Sequence, residues 1–197
     1  MLTAVRASLI AGLLLLPSGD HIKAAQAVGD STGLQFLGFR PGARLEELNR
    51  QLRSVGGGAL RCRRARADQR ISECRGMVES PDSRPPIEVW VSAIDSLAGV
   101  MTISGRVDSI QLETWRRTLQ DRYGRVGLRT QGKQSMLQWV RRGRMIRLTW
   151  RWERRERVAS VSLVDGHVLD SWGESQVRSA ATDTSRPAAT QPERRTR

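Results

Sequence analysis

Histidine is almost absent from this chain: His21 and His167 are the only two in 197 residues. Cysteine is as sparse, with Cys62 and Cys74 alone. Two cysteines and one distant histidine do not make a zinc spacing, so no metal is expected. Lysine is confined to Lys23 and Lys133 although the net charge is +13, so arginine carries the basic character. A genome-wide preference for arginine accounts for that ratio; the net charge itself favours anionic partners through long-range attraction. The apolar run at residues 7–16 falls well short of the roughly 20 residues that span a bilayer. There is no H-E-x-x-H pair, no Walker motif and no dinucleotide fingerprint behind a strand. These absences exclude the commonest metal, nucleotide and cofactor chemistries, and neither a catalytic residue nor a cofactor is expected.

What is present first is an export signal. Arg6 supplies a positive start, residues 7–16 (ASLIAGLLLL) an apolar centre, and Pro17 and Gly19 a break. Ala25-Gln26-Ala27 matches the small-x-small cleavage pattern, which gives a signal peptide over 1–27 and a mature chain from Val28. No cysteine lies close behind the apolar segment, the first being Cys62, so no lipid anchor is expected. Export to a periplasmic or extracellular location makes the even pair Cys62 and Cys74 a disulfide by default.

The mature chain reads as a short leader (28–33), one domain (34–172) and a disordered tail (173–197). Leu45, Leu48 and Leu52 recur at helical spacing with Glu46 and Glu47 in the first turn, and a glycine run at 56–58 ends that helix. The glycine run is no phosphate loop, because it follows a helix and no Lys-Ser/Thr pair comes after it. Residues 60–65 and 71–78 form a hairpin. If Cys62 faces Cys74, then Arg64 faces Ser72 and Arg63 faces Glu73. Residues 87–92 alternate, and a second strand follows near 99–105. Asp108 is a good N-cap for a helix over 109–123, with Leu112, Trp115, Leu119 and Tyr123 on one stripe and Gly124 behind it. Three strands then alternate through Met136, Ile146, Leu148, Trp150, Trp152, Ala159, Val161 and Leu163. The order is α-ββββ-α-βββ: an α+β fold with two helices packed on an antiparallel meander that has one buried and one wet face. The helix-then-meander unit occurs twice in outline.

The segment LGFRPGARLEELNRQL resembles the strand, glycine turn and short helix that open small bacterial envelope domains. LETWRRTLQDRYG, followed by a Trp-containing meander, resembles their later helix. The nearest groups are the β-lactamase-inhibitor-like folds and the small outer-membrane assembly lipoproteins. The resemblance spans residues 34–164 and implies a non-enzymatic α+β binding module; the lipoproteins' N-terminal cysteine has no counterpart here.

The expected function is therefore an exported, non-catalytic binding domain whose partner is an envelope protein or an acidic polymer. Arg61, Arg63, Arg142 and Arg144, on two arginine-rich hairpins, are the candidate polyanion-binding residues. They carry no expectation of specific nucleic-acid recognition, since they cluster at turns and not on a recognition helix. Trp90, out of phase with Val89 and Val91, is the candidate exposed aromatic. Binding of lipopolysaccharide or another polyanion is the alternative, and an enzyme with an unrecognised carboxylate site the third reading. A Ser-His-Asp triad would need His167, which reads as a surface turn residue. The ligand and the oligomeric state are not legible.

Overall fold

Alternating apolar and polar residues with tight turns between them dictate a sheet, and the sheet organises everything else. The structure, a computed structural model, describes residues 33–79 and 85–184. The segments read as signal peptide and leader, up to residue 32, lie outside the described residues, as do 80–84 of the Pro-rich loop and 185–197 of the segment read as a tail. The elements are α1 (Leu45–Ser54), β1 (Arg61–Arg64), β2 (Ile71–Val78), β3 (Ile87–Ile94), β4 (Leu97–Arg106), α2 (Ser109–Tyr123), β5 (Arg129–Gln131), β6 (Gln134–Arg141), β7 (Arg144–Glu153), β8 (Glu156–Asp165) and α3 (Gly166–Thr184). The strands form one eight-stranded sheet in the order β1-β2-β3-β4-β8-β7-β6-β5, antiparallel throughout.

That order is two copies of one arrangement. Each half is a helix followed by a four-stranded meander, and the last strands of the halves pair with each other. Val100 lies opposite Val164, Ile103 opposite Val161 and Arg106 opposite Val158. Both halves send their alternate side chains to the same side. Val89, Val91, Met101, Ile103, Ile146, Leu148, Val161 and Leu163 are fully buried there. α1 adds Leu48 and Leu52, and α2 adds Leu112, Trp115, Leu119 and Tyr123. Leu52 packs so closely on β2 that a Cβ at Gly76 would stand 2.4 Å from its Cδ2, which makes glycine the fitting residue there.

Local chemistry sets the boundaries. Asp108 caps α2 by accepting from the Gln111 N–H at 2.7 Å. Gly124, at φ +89°, ends α2 with its N–H on the Gln120 carbonyl. The β6–β7 turn places Arg142 and Gly143 at φ +47° and +70°, the left-handed pair that suits the twist of a two-residue hairpin. Tyr123 ties the opening segment to α2: its hydroxyl donates to the Gln35 carbonyl at 2.7 Å and accepts from the Gln35 N–H at 2.6 Å. Trp115 meets Phe36 edge-on, with ring centroids 5.2 Å apart.

The α+β meander matches the sequence reading, with two additions. β5 is a three-residue edge strand whose side chains are all exposed, so it has no apolar alternation to read. The other addition is α3, which carries helix from Gly166 to Thr184, through the segment read as the start of a disordered tail. Its Ser and Thr content, with Gly173 inside, argues against helix. Tertiary contacts override it: Val168 and Leu169 lie over Gly99 beside Ile94, and Trp172 and Gln176 reach Asp68.

Cys62 and Cys74 are bonded, and their residues face each other across β1 and β2, with Arg63 opposite Glu73 and Arg64 opposite Ser72 as the spacing predicts. Closing a loop of this size contributes about 3 kcal/mol in the chain-entropy account. A Cys62→Ala/Cys74→Ala variant is expected to stay folded and lose up to that much in a urea melt. The buried core of β3, β4, β7 and β8 does not involve β1, so loss of the whole fold would contradict this reading.

Candidate functional site

α1 and α2 cover one face of the antiparallel sheet, while α3 crosses one end of the other, over Gly99 and Ile94, and leaves the rest of that face open. Residues alternating with the core line that second face, and the pairing register aligns them. One row runs Arg75, Trp90, Thr102, Ser162, Arg147, Gln138, crossing β2, β3, β4, β8, β7 and β6. At roughly 4.8 Å per strand the row is about 24 Å long. Every member except Arg75 is half-buried; Arg75 is exposed. The centre of the face is built from small hydroxyl residues. Thr102 and Ser162 stand with their oxygens 3.4 Å apart, and Thr149 and Ser160 with theirs 2.7 Å apart. Larger side chains, Trp90 on one flank and Arg147 on the other, rise beside this low middle.

The charges on the face are mostly paired. Arg63 meets Glu73 at 2.7 Å and Arg75 meets Glu88 at 3.3 Å. Arg151 pairs with Glu153. Arg147 differs: its Nε donates to the Gln138 side-chain oxygen at 3.0 Å and it has no carboxylate partner among the described residues. A half-buried guanidinium with donors to spare suits a planar carboxylate on a partner.

One rim of this face is held by two carboxylates. Asp165, only 1% exposed, accepts from Arg144 Nε at 2.7 Å and from the Val168 N–H at 3.2 Å, so it anchors a guanidinium and caps α3 at once. Gly42, at φ +77°, lies against it, and a Cβ there would overlap the Asp165 carboxylate. Against the middle of α3, Asp68 accepts from Arg70, from Trp172 Nε1 at 2.9 Å and from the Gln176 amide at 2.8 Å. These contacts strap the helix from the end of β8 to the β1–β2 turn.

The candidate polyanion residues do not form one surface. Strands β2, β3, β4 and β8 separate Arg61 and Arg63 on β1 from Arg144 on β7. Arg63 and Arg144 are each already committed to a carboxylate. Arg142 sits in the β6–β7 turn, where its carbonyl lies 3.0 Å from His167 Nε2. Trp90 is half-buried in the row just described. The exposed indole is Trp152, at 59%, which continues the core phase of β7 beyond the end of the core. Arg147 and the hydroxyl residues were legible as the outward half of the alternation; their alignment across six strands was not.

Among the described residues no group of three His, Cys, Asp or Glu side chains is placed to hold a metal. The G-x-S-x-G spacing at residues 29–33 (GDSTG) has Ser31 outside the described residues. After Gly33 the chain runs into the Phe36–Phe39 bridge, not the helix that a nucleophile elbow requires. No described helix is long and apolar enough to cross a membrane.

The hydrogen bonds from Arg70 and Trp172, in that order, hold the Asp68 carboxyl well below the usual carboxylate range. A carboxyl depressed by folding stabilises the fold above its unfolded value of about 4, and that contribution drains away as pH falls below it. Asp68→Asn is therefore expected to melt below wild type at pH 7. The gap should narrow as pH falls from 4 toward 2. A gap that stays constant across a melting series would contradict the strap.

No protein-family model, no curated protein and no solved structure matches this chain.

Proposed function

We propose that this chain is an exported, non-catalytic binding module and that the part of the second sheet face left open beside α3 is the contact surface. The observation that carries the reading is the cross-strand row. It sets one aromatic and one guanidinium without a carboxylate partner among the described residues on either side of a low, hydroxyl-lined centre, two of the residue types that most often dominate binding energy. The low middle suits a protruding loop or side chain of a partner protein, and Arg147 suits a carboxylate on it. Export is supported by the signal-peptide pattern at residues 1–27 and by the Cys62–Cys74 bond, since such bonds persist in oxidising compartments. The repeated helix-and-meander plan fits the non-enzymatic binding modules that the sequence resembles.

The test is capture from envelope extract by the mature protein, followed by affinity measurement on whatever is retained. Trp90→Ala and Arg147→Ala are each expected to weaken a specific partner by about 30-fold, the scale of a truncated hot spot. Arg53→Gln, at the end of α1 on the opposite side of the sheet, should leave it unchanged. A partner that binds both face variants as tightly as wild type would rule the face out.

A further inference from the structure

A second site is visible at the end of the sheet away from α3, and it does not depend on the function proposed for the open face. There α2 passes the ends of β6, β7 and β8 and leaves a cleft of about 320 Å³. Its walls bring together Arg116 of α2, Lys133 of the β5–β6 turn, Trp150 and Trp152 of β7, and Arg157 of β8. Of these elements only Lys133 is a lysine, and it is the one lysine outside the segment read as a signal peptide. Arg151 also lines the cleft, and Glu113 is the single carboxylate that does so. Glu113 is already bound to Arg116 at 3.2 Å and to Arg117 at 3.0 Å. Lys133 and Arg157 have no carboxylate partner among the described residues. Arg157 instead lies over the Trp152 ring, 4.6 Å from its centroid, and donates to Ser109 Oγ at 3.1 Å.

The Arg116 side chain, 40% exposed, adds its guanidinium to the same wall beside Glu113. The indole of Trp152, exposed to 59%, adds an apolar plane beside the cations. Two cations without a carboxylate partner among the described residues, a partly exposed guanidinium and an exposed indole suit an oxyanion attached to a carbon ring. The volume lies at the lower end of small-ligand sites, roughly 300–1,000 Å³.

We propose that this cleft binds a sulfate- or phosphate-substituted saccharide, with the oxyanion between Lys133, Arg116 and Arg157 and the sugar ring against Trp152. It is a site distinct from Arg61, Arg63, Arg142 and Arg144, and it gives the chain's positive charge a defined place to act. The test uses the full mature protein, a heparin hexasaccharide and inorganic pyrophosphate, with tryptophan emission as readout in a salt series. The hexasaccharide should bind at low salt and weaken as salt rises. Lys133→Gln and Trp152→Ala change exposed side chains and should keep the wild-type melting point. Each should weaken the hexasaccharide about tenfold, the loss expected for one charge-assisted hydrogen bond or ring contact. Pyrophosphate, which has no ring, should bind more weakly and be indifferent to Trp152→Ala. Arg61→Gln/Arg63→Gln should bind as wild type. The site is overturned if the hexasaccharide is ignored at low salt, if both cleft variants bind it undiminished, or if the loss falls on the Arg61 and Arg63 variant. A Trp152→Ala variant that weakens pyrophosphate and hexasaccharide alike would overturn the role of the ring.

Discussion

The pairing of β4 with β8 is the constraint on which the rest of the molecule depends. Each half, taken alone, is a four-stranded meander with one helix, and each ends in a strand whose outer edge would be open. Exposed edges invite pairing with other chains. Here each half's last strand covers the other's, so the sheet becomes continuous across Val100–Arg106 and Val158–Val164. The join also aligns the two buried faces. Met101 and Ile103 continue into Val161 and Leu163 without a change of side, so one core serves both halves. Because the register period is two, a slip of one residue at this join would send every core residue of one half to the wrong face.

The same join makes the open face. Matching the buried sides forces the wet sides to match as well, and only then do Trp90 on β3 and Arg147 on β7 belong to one row. Neither half contains both. The polar rim follows from chain economy: β8 ends at Asp165, whose buried carboxylate holds Arg144 and starts α3. The helix then returns to the β1–β2 turn and docks on Asp68. Asp108 plays the corresponding capping role where β4 hands over to α2. At that opposite end the cleft beside Trp152 gathers the cations that the sheet itself does not neutralise.

Much of this was legible in the sequence where local chemistry and tertiary need agree. α2 was placed at Ser109 and Tyr123 because Asp108, the Leu112–Trp115–Leu119 stripe and Gly124 all give the same answer. The register of the first hairpin followed once Cys62 and Cys74 were set opposite each other as a disulfide. What could not be read depends on partners far away in the chain. α3 looks like a tail because its helix is fixed by Asp68, more than a hundred positions earlier, and not by its own composition. Arg63 and Arg144 look free until Glu73 and Asp165 are seen beside them. Trp150 and Trp152 share one phase, yet only the first packs against the core, because the strand outruns the layer beneath it.

The central claim is that two meanders are welded into one cooperative sheet by β4 and β8. Native-state hydrogen exchange followed residue by residue tests it most directly. Amides of β4 and β8 at the join should exchange only through global unfolding, with one shared opening free energy, while those of the edge strands β1 and β5 exchange faster through local opening. Exchange of one half to completion while the other stays protected would contradict it, since the halves would then be separate units that merely touch.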